Sequence, residues 1–335
     1  MIGKGNRNLI TDVPGLLVGQ AEDARARTGV TVLLGEEPMT CAADIRGGAP
    51  GTRDVILDPA SLVSTVDALV LSGGSAFGLD APSGVQAYLK AQGRGFEIVP
   101  GAPRVPIVPG AILFDLTNGG DKNWGEMPPY RALGLKAAEN AARDFALGNA
   151  GAGMGAVAGI YKGGIGSASS VDESGVTVGA LVAVNSVGSP VIPGTDVFWA
   201  HLFERDGEFG GRKLCASQGT IALDLPDDMK GARPGASTTI AIIATDAKLS
   251  RVALQRVAVM AADGFARALR PAHTPFDGDL VFAVSTRRPA QLDSDSIAVL
   301  RLGHMAADCL ARAIARGVYA AETLGNFKSY RDAFS

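Results

Sequence analysis

Short apolar runs punctuated by glycine run through this chain and restrict it to a fold whose strands end abruptly in loops. Glycine supplies 44 of the 335 residues, roughly 13% against a usual value of about 7%. The runs at 29–34, 68–71, 111–116, 176–184, 238–244 and 280–284 are too short for helices and are bounded by turn formers, so they read as strands. Helical patterns cover 79–92, 131–147, 249–269 and 294–316, the last two with apolar residues at three- and four-residue spacing. Gly93, Gly148 and Pro271 stand just beyond three of these helix ends. The mixture predicts an α/β fold in which helix layers cover the outer faces of a sheet stack.

Composition narrows the partners. The chain is long enough to bury about three quarters of the surface that its unfolded form exposes. It has no repeat and no linker-like segment, so one structural domain, 1–335, is expected. Charged residues are only 19%, the net charge is -3, and no block of Lys or Arg occurs. That pattern argues against nucleic acid and anionic membrane as partners. The first residues lack the apolar core of a signal peptide and no apolar stretch reaches membrane-spanning length, so a soluble, cytoplasmic protein is expected. Cys41, Cys215 and Cys309 are an odd number without close pairing, which fits reduced thiols. His201, His273 and His304 are scattered, with no zinc spacing, so neither metal nor cofactor is expected; His273 reads as a partly exposed loop residue.

Several segments have the make-up of a reaction site. From Arg233 to Asp246 a Pro/Gly loop runs into Ser237, Thr238 and Thr239 and then into a short β-branched strand. Hydroxyls at a strand mouth have nucleophile geometry. If the preceding peptide bond is cut, the new residue presents a hydroxyl and a free α-amine of pKa near 8 together, a nucleophile with its own base. The same threonines also suit an ordinary strand start. Asp277 and Asp279 directly precede a strand, placing two carboxylates on one side of the chain; they suit acid–base work or a plain turn. Asn185 ends an apolar run, where its amide can serve an oxyanion or a turn. Gly73, Gly74 and Ser75 lie between a strand and a helix, where backbone amides can meet an anion or simply let the chain turn. Lys162 reads either as a surface loop residue or as a site cation.

In combination these segments resemble the DmpA-type hydrolases, which include L-aminopeptidase/D-esterases, β-peptidyl aminopeptidases and nylon-oligomer (6-aminohexanoate) hydrolases. The resemblance runs nearly end to end, through Leu9 to Gly19, Thr28 to Leu33, Arg46 to Arg53, Leu71 to Asp80, Gly151 to Gly153, Lys162 to Ser169, Asn185, the Ser237 segment and Asp277 to Asp279. It implies a four-layer α/β/β/α sandwich close to N-terminal nucleophile hydrolases. It also implies a precursor that cuts itself between Ser237 and Thr238 into a 1–237 α chain and a 238–335 β chain, assembled as a homo-oligomer, tetramer or larger. Thr238 would attack a peptide or amide carbonyl, its α-amine would take the proton, and Asn185 would hold the oxyanion. Asp277 and Asp279 resemble the acidic pair that hydrogen-bonds the nucleophile in the nylon-oligomer branch, and Lys162 stands where a site lysine falls. Phe114 occupies the place of a tyrosine in some members, and Ser237 that of an Asn or Gly; the segment 158–164 is shortened. The alternatives are a glutamate/ornithine N-acetyltransferase of related architecture and a non-catalytic anion- or nucleotide-binding protein using Gly73 to Gly78.

Overall fold

The computed structural model describes residues 2–58, 60–214, 225, 227–231, 237–290 and 296–335, without the side chains of 287–290. Cys215, the 233–236 part of the loop before Ser237, and the first residues of the helix expected at 294 lie outside them. The strands are β1 (Leu16–Asp23), β2 (Thr28–Ile45), β3 (Thr52–Arg53), β4 (Thr65–Ser72), β5 (Gly110–Ile112), β6 (Val157–Ala158), β7 (Tyr161–Lys162), β8 (Gly164–Val171), β9 (Thr177–Asn185), β10 (Thr238–Ala247) and β11 (Leu280–Ala290). The helices are α1 (Ala81–Ala91), α2 (Tyr130–Glu139), α3 (Arg251–Ala261), α4 (Asp263–Ala268), α5 (Ser296–Ala320) and α6 (Tyr330–Ala333).

One strand organises the rest. The first half of β2 pairs with β1 and β4, and its second half, from Thr40 to Ile45, pairs with β11. Its register on β4 shifts between Leu34 and Met39, a stretch that contains Pro38, which has no N–H for the ladder. The hydrogen-bonded order is β3-β5-β4-β2-β11-β10-β9-β8, with β1 on the other edge of β2. The side chains sort into three apolar cores with the period of two expected of strands. Val30, Val32, Ala68 and Val70 pack on α1 and α2. Leu33, Leu69, Leu71, Leu181, Ile240, Ile242 and Phe282 fill the space between the two halves of the sheet. Val182, Ala241, Ile243 and Val281 pack on α3, α4 and α5. Three cores separate four layers, α/β/β/α.

The expected elements are present, with differences. β1, β3, β6, β7, β8 and α6 lie outside the expected elements, the strand expected over 29–34 runs on to Ile45, the helix expected over 131–147 stops at Glu139, that over 249–269 divides at Ala262, and the strand expected over 111–116 shrinks to β5. The last change leaves Phe114 and Asp115 in a loop beside the site. β8 is made largely of small residues, Gly-Ile-Gly-Ser-Ala-Ser-Ser-Val, because α5 lies almost on its backbone: a Cβ on Gly166 would stand 1.8 Å from the carbonyl oxygen of Ala313. Cys41 and Cys309 are buried free thiols. Among the described residues no helix is long and apolar enough to cross a membrane.

Gly166→Ala should therefore lift α5 from the sheet and destabilise the protein by about 1–3 kcal/mol, the usual scale of core overpacking. Urea unfolding measures it; an unchanged midpoint would mean that α5 does not rest on β8 as described.

Candidate active site

The register of β10 sets the site. β10 opens at Thr238, which stands opposite Asn185, the last residue of β9. On the other side Ser237 bridges to Asp277, three residues before β11 begins. Thr238 is buried, at 2% exposure. Its Oγ1 donates to the carbonyl oxygen of Ser237 at 2.5 Å, and that oxygen also accepts the backbone N–H of Gly278 at 3.0 Å. Residue 278 must be small here, since a Cβ on it would stand 2.7 Å from Thr238 Oγ1. The Ser237–Thr238 peptide is thus held with its carbonyl polarised by two donors, one of them the adjacent hydroxyl. The neighbouring hydroxyls differ: Ser237 Oγ and Thr239 Oγ1 are buried without a hydrogen-bond partner.

Asp277 and Asp279 grip the backbone around this peptide. Asp279 Oδ1 accepts the N–H of Thr239 at 2.7 Å, so the pair reaches the start of β10 through an amide and not through the Thr238 hydroxyl. Its Oδ2 accepts the His273 N–H at 3.0 Å and lies 3.0 Å from His273 Nδ1. His273 is therefore a partner of the acidic pair, which it closely precedes in the sequence. Asp277 accepts from Val187 N at 3.1 Å, from Thr274 N at 3.1 Å and from Thr274 Oγ1 at 2.5 Å. Burial raises the Asp277 carboxyl above the ordinary range, and the charge of Asp279 adds to the rise.

Asn185 joins Thr238 to a cavity of about 270 Å³ lined by Phe114, Asp115, Asn118, Lys230 and Phe327 among others. Its Nδ2 donates to the Phe114 carbonyl at 3.1 Å. Its Oδ1 accepts from Val157 N at 3.0 Å and from Lys230 Nζ at 2.8 Å. Lys230 is a site residue that sequence reasoning missed: a single lysine in a polar loop carries no pattern. Desolvation brings its pKa down to about 7, with the charges of Asp277 and Asp115 opposing the fall. Lys162 is 1% exposed and donates to the carbonyls of Gly153 and Gly163 at 2.8 and 2.7 Å. It too falls to about 7 through desolvation, opposed by Asp115. The Lys162 amine is thus bound to backbone carbonyls, not to Thr238.

The turn at Gly73 to Ser75 is already engaged. Gly73 N donates to Gly29 O, Ser75 N to Leu113 O, and Gly74 N to the Asp115 carboxylate at 2.8 Å. Gly74 has φ +87°, which only glycine adopts readily. Asp115 thus takes the seat that a bound anion or oxyanion would need. Among the described residues, no group of three or more His, Cys, Asp or Glu side chains is placed to hold a metal ion.

A buried hydroxyl on a polarised carbonyl, flanked by an amide and two carboxylates, is an arrangement suited to nucleophilic chemistry at a carbonyl. The model of peptidase family S58 matches residues 8–331, and the chain belongs to that family. It is a hydrolase of peptide or amide bonds. An uncharacterised aminopeptidase of Mycobacterium tuberculosis (strain ATCC 25618 / H37Rv) is 44% identical over 345 residues, covering 98% of each chain. A 6-aminohexanoate-oligomer endohydrolase of Kocuria sp. (strain KY2) is 30% identical over 293 residues, 84% of this chain and 76% of that one. The fold is also that of the L-aminopeptidase D-Ala-esterase/amidase of Ochrobactrum anthropi, described as a variant of the Ntn hydrolase fold. That structure has a TM-score of 0.66 and 22% identity, over 96% of this chain and 89% of that one.

The buried lysines give stability a pH dependence of definite sign. Lys162 titrates near 7 when folded and near 10.4 when unfolded. Between those values the unfolded chain binds more protons, so stability rises with pH; below about 7 the penalty of burying the charge is fully present. Lys162→Met should flatten the rise in thermal midpoint between pH 7 and 9. A variant retaining the full wild-type slope would show that the Lys162 amine is not desolvated.

Proposed function

We propose that the chain is a self-processing amide hydrolase whose nucleophile is Thr238, released as a new N-terminus by cleavage of the Ser237–Thr238 bond. The observation that carries this reading is the contact of Thr238 Oγ1 with the Ser237 carbonyl oxygen at 2.5 Å, on a carbonyl also held by Gly278 N–H. Attack of that hydroxyl on the Ser237 carbonyl carbon forms an ester as the C–N bond breaks, and the nitrogen takes up a proton. Water then hydrolyses the ester, leaving a Ser237 carboxylate and a free Thr238 amine. The developing oxyanion has the Gly278 amide as its donor.

In turnover the Thr238 hydroxyl attacks the substrate carbonyl, and its own α-amine accepts the proton. Asn185, directly across the ladder, supplies a side-chain N–H to the oxyanion. Asp279 holds the Thr239 amide and Asp277 the Val187 amide just beyond Asn185, so both carboxylates position the reacting strands. Lys162 supports the wall behind them. The two products stay associated, because β10 and β11 lie between β9 and β2 inside the sheet. Small peptides, amino-acid amides and amide oligomers suit the cavity beside Asn185, in keeping with the activities for which the relatives are named. The mature protein is further assigned to the cytoplasm, in keeping with its buried free cysteines, and to a homo-oligomer of at least four αβ pairs; exposed Val55, Leu62 and Met127 offer apolar surface for assembly.

Intact-mass measurement of the purified protein tests the processing step. Fragments 1–237 and 238–335 are expected from the native chain, and a single uncut, inactive chain from Thr238→Ala. A new N-terminus at Ser237 or Thr239, or full activity in the uncut chain, would overturn the assignment. Asp279→Asn should lower turnover by about 10²-fold, the scale of a positioned acid–base or orienting group. Wild-type turnover in that variant would reduce the carboxylate to a turn former.

A further inference from the structure

We infer that Lys230 is a positioning residue for the hydrolysis: its amine fixes the orientation of the Asn185 amide, so that the donor end of that amide faces the substrate carbonyl. The inference rests on the reading of Asn185 as the oxyanion donor. A side-chain amide has a donor end and an acceptor end of nearly the same shape, and rotation by half a turn exchanges them. At Asn185 the choice is settled by two donors aimed at one atom, Val157 N at 3.0 Å and Lys230 Nζ at 2.8 Å, both on Oδ1. In the rotated state Nδ2 would face the Val157 N–H, which cannot accept, and would lose the Phe114 carbonyl that it now meets at 3.1 Å. One N–H of Nδ2 serves Phe114; the other is left for an oxyanion.

Lys230 is itself held independently of that contact. Its backbone N–H donates to Val187 O at 2.9 Å, and the neighbouring Asp228 carbonyl accepts from Ile160 N at 3.1 Å. A second contact of its amine, with the Val157 carbonyl at 3.3 Å, ties it to the strand that supplies the other donor to Asn185. Lys230 precedes Ser237, so it belongs to the segment that becomes the end of the α chain. The α chain would thus orient the oxyanion donor while the β chain supplies the nucleophile.

The test is a double-mutant cycle on the processed protein, with L-alanine p-nitroanilide or the 6-aminohexanoate dimer as substrate. The Ser237 carbonyl has its own donor in Gly278 N–H, so the variants should still cut themselves. Asn185→Ala should lower kcat by about 10²-fold or more. Lys230→Met should lower kcat at least tenfold with KM within twofold, Lys230→Arg should recover most of the loss, and Lys230→Met should add nothing in the Asn185→Ala background. A further tenfold loss in that background, an effect on KM alone, wild-type kcat in Lys230→Met, or failure of a folded Lys230→Met chain to cut itself would each overturn the inference. Wild-type kcat in Asn185→Ala would instead overturn the oxyanion assignment. If circular dichroism shows Lys230→Met unfolded, Lys230→Gln, whose shorter side chain stops short of Asn185, replaces it in the cycle.

Discussion

In the proposed mechanism, the pairing of β10 between β9 and β11 fixes where chemistry can occur. It puts Thr238 opposite Asn185 and Ser237 beside Asp277. Because side chains alternate along a strand, a slip of one residue would turn Thr238 to the other face and bring Thr239 into its place. The apolar pattern prevents that slip: Ile240 and Ile242 are committed to the middle core while Ala241 and Ile243 are committed to the outer one. Burial in two cores on opposite faces therefore positions the hydroxyl. The loop before β11 completes the arrangement with the Gly278 amide on one side of the bond and the Asp279 carboxylate on the next amide.

Electrostatics around this peptide follows from the same burial. Asp115, Asp277, Lys162 and Lys230 lie where water is scarce, and each shifts toward its neutral form. Two carboxylates are raised and two amines lowered in the surroundings of the Ser237 carbonyl. Fixed dipoles, such as the amides of Gly278 and Asn185, then act at short range in a medium that screens them weakly. Dense packing around the site shows in its glycines, for Gly278 and Gly163 both sit where a Cβ would strike the machinery or the backbone of β9.

Much of this was legible before the fold was known, and the reasons for the misses are physical. β10 announces itself because a β-branched run between a Pro/Gly loop and a charged residue has little else to form. β8 does not, because Gly164 and Gly166, set by the close approach of α5, and Ser167, Ser169 and Ser170 that follow them carry no apolar alternation. The break at Ala262 between α3 and α4 leaves the helical spacing of apolar residues nearly intact. Asp277 and Asp279 could be picked out as a pair, with His273 a few residues before them, but the amides of Val187 and Thr239 that they hold come from separate parts of the chain. Lys162 suited either a surface loop or a site cation in the sequence, and it is a buried amine among backbone carbonyls. The glycine turn at Gly73 looked able to receive an anion, and the chain fills it with its own Asp115.

The most direct measurement of the central claim is to trap the ester that Thr238 must form with the Ser237 carbonyl. Freshly made, uncut chain would be treated with hydroxylamine and its fragments mapped by mass spectrometry. The account expects a fragment 1–237 ending in a Ser237 hydroxamate, absent when Thr238→Ala is treated alike. A hydroxamate at any other residue, or release of 1–237 as the plain carboxylate with no hydroxamate formed, would contradict it.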